Sequence, residues 1–273
     1  MEYKPIIMMP VHKRADYPKR VLESIRNCYG SEKYTVIICA EPGYPEVIEV
    51  LKSVEDIHKI FIINEKKLGC DNNTYKCLEL GFNFTDFLII FEDDIIPSRD
   101  CLQYFEWAKE EYKNDPDVLN IGTFTDDIHG VAGMKNMYET KKYEKFTSQG
   151  WGTWINRWEN IIKPNWEDME KEGYPDWFTW DVRMDRKIRG NRVEVRPILG
   201  RTNNIGKENG LHSETVWNGI KNSDHYRYDN KLCSIWAGNI IDTIDENTKD
   251  FDILHLIGKA FLRMNNKKEQ IGE

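Results

Sequence analysis

The chain has 273 residues, 40% of them hydrophobic and 12% aromatic, and carries a net charge of −8. That much apolar material supports a sizeable core and excludes a disordered chain, and the acidic balance argues against a general nucleic-acid surface, which needs a basic stripe. No apolar run reaches the length of a membrane span, and the six cysteines (Cys28, Cys39, Cys70, Cys77, Cys101 and Cys233) show no C-x-x-C spacing, so buried free thiols in a reducing compartment are expected.

Pro5 to Val11 reads as a buried strand, entered directly from the N-terminal residues without a leader-type pattern. Asp16 and Pro18 then open a helix with Val21, Leu22, Ile25 and Cys28 on its apolar face, ending before Gly30. Tyr34 to Ala40 is a second strand, followed by the turn Glu41-Pro42-Gly43 and a helical stripe of Val47, Val50, Leu51 and Val54. Lys59 to Ile63 is a third strand, and Asp71 to Leu80 a helix closed by Gly81. A fourth strand begins at Phe87. Ser98 is placed as the cap of a helix bearing Leu102, Phe105, Ala108 and Tyr112, which Asp115-Pro116 stops before a strand over Val118 to Phe124. Such alternation predicts right-handed crossovers and a mostly parallel sheet with helices on both faces, whose ligands bind at the carboxyl ends of the strands.

The second half differs. Most of the nine tryptophans fall between Trp151 and Trp217, and Trp151, Trp154 and Trp158 follow helical spacing, as a core stripe does. Asn191 to Pro197 reads as a strand with Val193 and Val195 on one face, and Thr202 to Ser213, rich in Gly and Asn, as a mobile loop. A last helix from Lys249 presents Ile253, Leu256, Ile257 and Ala260. The expected organisation is one continuous domain, with residues 1–125 forming an α/β half that binds one ligand and residues 126–273, with the last helix, forming a Trp-rich half that binds a second.

The most informative stretch is Phe87-Leu88-Ile89-Ile90-Phe91-Glu92-Asp93-Asp94. Five apolar residues form a buried strand, and three adjacent carboxylates at its end repel one another unless a cation binds. In an extended chain Glu92 and Asp94 point one way and Asp93 the other. A hard divalent ion, Mn²⁺ or Mg²⁺, suits such a cluster, and a diphosphate would share it. His12, Lys13 and Arg14 offer donors from the first strand end, and Glu41 from the second offers an acceptor for a nucleobase imide. Asp181, in Asp176-Trp177-Phe178-Thr179-Trp180-Asp181, is an acid beside aromatics and is expected to serve as a general base that takes a proton from a sugar hydroxyl; Asp176 competes for the role.

Phe87 to Asp94, the Trp-rich segment, Phe178 to Arg183, and Arg196-Pro197-Ile198-Leu199-Gly200-Arg201-Thr202, in that order, resemble the N-acetylglucosaminyltransferase I family of GT-A glycosyltransferases (glycosyltransferase family 13). The resemblance runs from about Ile6 to about Ser213 and implies a GT-A, Rossmann-like α/β fold. It implies a metal-anchoring role for Asp94, donor-sugar and ribose contacts for Glu92 and Asp93, and phosphate- and uracil-side contacts for Arg14 and Glu41. His12, Arg201 and His212 join the donor contacts, and Thr202 to Ser213 resembles the loop that orders over a nucleotide sugar. Asp181 falls on the second acid of a Trp-Asp-Asp-Trp-like segment, where the base sits, while Trp180 replaces the first acid.

The expected protein is an inverting, metal-dependent transferase, soluble and cytoplasmic. It would pass N-acetylglucosamine from a UDP-sugar donor to a glycan or other hydroxyl acceptor, with nucleic acid not expected as a partner. A sugar nucleotidyltransferase needs a Gly-rich turn after the first strand, and Pro10 to Arg14 contains no glycine. A non-catalytic carbohydrate-binding protein would use the tryptophans as stacking platforms but leaves the acid triplet unexplained. A viral glycosyltransferase acting on hydroxymethylated nucleic acid is disfavoured by the charge.

Overall fold

The structure, a computed structural model, describes residues 5–125, 134–136, 138–166 and 178–206. An eight-stranded sheet has the order β3-β2-β1-β4-β8-β6-β9-β7, with β1 at Ile6–Val11, β2 at Thr35–Ala40, β3 at Lys59–Ile63, β4 at Phe87–Ile90, β6 at Val118–Gly122, β7 at Thr140–Tyr143, β8 at Trp151–Trp154 and β9 at Val193–Pro197. Strands β3, β2, β1 and β4 run parallel, as do β6 and β9, whereas β8 is antiparallel to both β4 and β6, and β7 to β9. A small second sheet pairs β5 (Ile95–Pro97) antiparallel with β10 (Thr202–Asn204).

Burial on both faces explains the continuous apolar runs of the central strands. Along β1, Ile7, Met9 and Val11 face a core shared with α1 (Asp16–Arg26), α2 (Pro45–Lys52) and α4 (Cys101–Tyr112). Ile6 and Met8 face a second core with α3 (Gly69–Gly81). Strand β4 divides likewise, with Phe87 and Ile89 on one side and Leu88 and Ile90 on the other. Gly81 is required by close packing: a Cβ there would lie 2.5 Å from Leu88 Cδ2.

The tryptophan stripe is not helical. Trp151 and Trp154 are the two ends of β8, and the period of two sends them to opposite cores. Trp158 lies beyond them, in a π-helical turn (Trp158–Ile162) that continues α5 (Ile155–Arg157). Trp151, Trp158, Trp166 and Trp180 share one core, with Trp166 stacked on Trp180 at 6.0 Å between ring centroids. These four indoles therefore fill the core.

Among the described residues Cys28, Cys39, Cys77 and Cys101 are buried free thiols, and Cys70 is exposed. No described helix is long and apolar enough to cross a membrane. The helix expected from Lys249, Cys233, Asp176, His212 and most of the loop to Ser213 lie outside the described residues.

Candidate active site

Strand β1 is the switch point of the sheet. The chain crosses from it to β2 and β3 on one side, while β4 pairs on the other. The β1–β4 register extends only from Ile6 to Met8, whereas β1 stays paired with β2 through Val11. Pro10, which has no N–H to give, thus lies beyond the β4 ladder, and the two strand ends diverge. A crevice at such a point is where open α/β sheets bind ligands. The ends of β1, β2 and β4 deliver His12-Lys13-Arg14, Glu41 and Glu92-Asp93-Asp94 to this edge.

The acids do not alternate as an extended strand would place them. β4 ends at Ile90, and a turn closed by Ile95 N–H to the Glu92 carbonyl (3.2 Å) rotates Asp93 and Asp94 to the same side. Both meet Arg14: its Nη2 donates to Asp94 Oδ2 at 2.9 Å and to Asp93 Oδ1 at close range. Tyr17 lies under the guanidinium, 4.9 Å from ring centroid to Cζ. Burial works against the Arg14 charge, yet Asp93 and Asp94 hold its pKa above the ordinary value. Asp93 is buried, and desolvation reinforced by Asp94 pushes its carboxyl up to about 6 against the opposing pull of Arg14.

Glu92 turns away from Arg14 and hydrogen-bonds to Ser148. Desolvation, together with the charges of Asp94, Asp181 and Asp93, holds it well above the usual carboxylate range. Asp181 is thereby brought to the same crevice from a distant part of the sequence. It sits in the first turn of α6 (Trp180–Arg183), with Oδ1 accepting from Thr179 Oγ1 at 2.5 Å. Buried Trp180 anchors that turn, its N–H donating to Asp71 Oδ1 (3.2 Å), and Asp71 also pairs with Arg183 at 3.4 Å. The Trp180 indole itself is buried against Phe146, Trp151 and Trp166, and so fixes the turn that carries Asp181.

His12 is half-buried beside Tyr44, with centroids 5.1 Å apart, and burial followed by the charge of Lys67 holds its pKa below the ordinary value. Its Nε2 and Arg14 Nη1 are both buried without a hydrogen-bond partner among the described residues. Lys13 points to solvent.

Glu41 and Arg201, both expected as donor contacts, have protein partners in this structure. Glu41 accepts from Leu68 N–H (2.9 and 3.1 Å) and Gly69 N–H (2.7 Å), so this buried carboxylate caps α3 from β2. Arg201 is 0% exposed; its Nε donates to Asp100 Oδ2 at 2.8 Å, its Nη1 to the Leu199 carbonyl, and its guanidinium lies over Tyr104. Arg196 is similarly buried, against Glu194 and over the Tyr143 ring. The Arg196-to-Arg201 segment reads as a ligand motif in sequence and as a pair of internal struts in three dimensions.

The segment after Arg201 completes the crevice. β10 runs antiparallel to β5, Ile205 N–H donates to the Asp94 carbonyl at 2.9 Å, and a Cβ on Gly206 would collide with Asp94 Oδ2. Gly150 holds the floor at φ +82°, where a Cβ would lie 2.6 Å from Thr123 Oγ1, 2.9 Å from Thr202 Cγ2 and 3.1 Å from Phe91 Cε1. Ser148, Tyr17 and Tyr44 escape sequence reasoning because no local pattern marks them; only the fold brings Ser148 to Glu92, Tyr17 to Arg14 and Tyr44 to His12.

No family model and no curated protein matches the sequence. Solved structures do match in shape. S. aureus TarS in complex with UDP-GlcNAc superposes with a TM-score of 0.52 at 8% identity, over 94% of this chain and 71% of that one. The mannosyltransferase PcManGT from Pyrobaculum calidifontis, in complex with GDP-Man and Mn²⁺, gives 0.45 at 13% identity over 97% and 76%. The galactosyltransferase LgtC with donor and acceptor sugar analogues gives 0.42 at 12% identity over 69% and 72%. The TarS likeness and the sheet topology define the class: the fold is that of the GT-A glycosyltransferases.

Proposed function

We propose that this protein is an inverting glycosyltransferase that moves N-acetylglucosamine from a UDP-sugar to a hydroxyl of a glycan or other acceptor. The observation that carries this reading is the pairing of Arg14 with Asp93 and Asp94 at the switch-point crevice of a GT-A fold, with Asp181 near enough for its charge to act on Glu92. The resemblance to the N-acetylglucosaminyltransferase I family supports the choice of sugar, and UDP-GlcNAc, the ligand of the TarS structure, is the first donor to test.

Arg14 Nη1 and His12 Nε2, buried and unpartnered, are assigned to phosphate oxygens, which would satisfy both. Asp94 is assigned as the anchor of a divalent ion. The residues fit one: two hard carboxylates, Asp93 and Asp94, already close around a cationic group. No group of three or more ligating side chains is gathered among the described residues, so diphosphate oxygens and water would complete the shell. When bound, such an ion supplies Lewis-acid stabilisation of the departing UDP.

Asp181 takes the proton of the acceptor hydroxyl. Thr179 holds its Oδ1, leaving Oδ2 as the accepting atom. The acceptor oxygen bonds to the anomeric carbon as the bond to the phosphate oxygen breaks on the opposite face, and that electron pair leaves with UDP. Glu92, kept readily protonated by its surroundings and tied to Ser148, is suited to hydrogen-bond the donor sugar. The carbohydrate-binding alternative gains no support from Trp151, Trp154, Trp158, Trp166 and Trp180, which among the described residues are buried. A screen of sugar nucleotides for metal-stimulated hydrolysis tests the reading. Release of UDP from UDP-GlcNAc is expected, and failure to bind or cleave any sugar nucleotide would sink it.

A further inference from the structure

A single nitrogen, Arg14 Nη2, serves both Asp93 and Asp94, while Nη1 of the same guanidinium is buried with no acceptor among the described residues. The side chain is 15% exposed and rests on Tyr17, so it is held in place. The guanidinium therefore occupies the position a divalent ion would need. An ion arriving alone would have to separate Arg14 from both carboxylates. That would leave an arginine largely out of water, next to a second cation and with no anion to pair with, which is strongly unfavourable. A diphosphate changes the balance, because its oxygens give Arg14 a new bidentate partner.

We propose that Arg14 is a built-in counter-ion at the metal position, which keeps free metal out of Asp93 and Asp94 and yields them when a diphosphate takes the guanidinium. The inference rests on the reading of Asp94 as a metal anchor and deepens it. Its consequence is positive coupling: metal and nucleotide each tighten the other's binding, with part of the coupling carried by Arg14.

Mn²⁺ binding, read from loss of the free-ion EPR signal, tests this in the intact chain, alone and with saturating UDP or inorganic pyrophosphate. In the unaltered protein Mn²⁺ alone binds weakly, and either anion tightens it at least ~10-fold, within the usual range of coupling. Arg14→Met binds Mn²⁺ alone about 10-fold more tightly than the unaltered protein and shows a smaller anion effect. Arg14→Lys, which keeps the charge, stays near the unaltered value, and the double variant Arg14→Met with Asp94→Asn loses the gain. Circular dichroism confirms that each variant is folded. If Arg14→Met leaves the affinity for Mn²⁺ alone unchanged or weaker, Arg14 is not a counter-ion and the proposal is overturned. If Mn²⁺ binds neither form, the metal reading of Asp94 falls and takes the proposal with it. If Mn²⁺ alone tightens in Arg14→Met but UDP binds neither form and pyrophosphate still does, the counter-ion role stands and the uridine reading fails.

Discussion

Arg201 offers a direct contest between a ligand role and a structural one. Its guanidinium is 0% exposed and pairs with Asp100, whose side chain is 11% exposed; Asp100 also accepts from Ser98 Oγ at 2.6 Å. Arg201→Met roughly preserves the volume and removes the charge, so Asp100 is left buried without its cation. Breaking a buried pair from one side costs about 3–5 kcal/mol. With a urea slope of about 2 kcal/mol/M, the denaturation midpoint falls by about 2 M. Adding Asp100→Asn removes the stranded charge and recovers part of the loss. Nucleotide affinity, measured by calorimetry at a temperature where the variant stays folded, remains near that of the unaltered protein. The reasoning is refuted if Arg201→Met changes stability by less than about 0.5 kcal/mol, the range of an ordinary surface substitution, and abolishes nucleotide binding. Arg201 would then be a donor ligand after all.

Asp181→Asn should lower transfer turnover by roughly 10²–10⁴-fold with UDP-sugar binding largely retained, which stopped-flow transfer and calorimetric binding assays separate. Asp94→Ala should abolish metal-dependent UDP binding while circular dichroism stays unchanged; UDP affinity with Mn²⁺ equal to that of the unaltered protein would count against Asp94 as the anchor. Gly150→Ala forces a side chain onto φ +82° and into Thr123, Thr202 and Phe91; strain of about 1–2 kcal/mol and overpacking of about 1–3 kcal/mol should both appear as a lower urea midpoint. The Asp93 carboxyl is raised in the folded state to about 6 from 3.8. Folding therefore disfavours its ionised form, and that cost is present above pH 6 and relaxes as the pH falls toward 4. The stability of the unaltered protein relative to Asp93→Asn should thus rise across that window, and a difference independent of pH would show that Asp93 does not titrate there.

Much of the architecture is legible in the chain itself. Period-3.6 stripes such as Val21, Leu22 and Ile25, and apolar runs such as Phe87 to Ile90, locate the elements because burial of their apolar faces dictates them. Strand–helix alternation then fixes a mostly parallel sheet, and the rule that ligands sit at strand carboxyl ends places His12, Arg14 and Glu92-Asp93-Asp94 at the crevice before any coordinates exist. Three-residue spacing misled at Trp151 and Trp154, because it fits a helix and equally the two faces of a short strand; pairing with β4 and β6 decided for the strand.

Charge pairing was wholly a matter of tertiary structure. A carboxylate or guanidinium carries no local mark of its partner, and the interaction is decided by distance after the chain has folded. Nothing in the residues beside Arg14 or Arg201 states which partner each takes. The fold sets one at the diverging ends of β1 and β4, bridging Asp93 and Asp94 with a donor still unpaired, and seals the other against Asp100 with no exposure. Asp181 comes near enough for its charge to act on Glu92 because Trp180 packs into the core and Asp71 accepts the Trp180 backbone N–H, contacts between residues far apart in the chain. The sequence by itself determined which residue types and strand ends are available for chemistry. The packing of distant segments determined which of those charges face the crevice and which are spent holding it together.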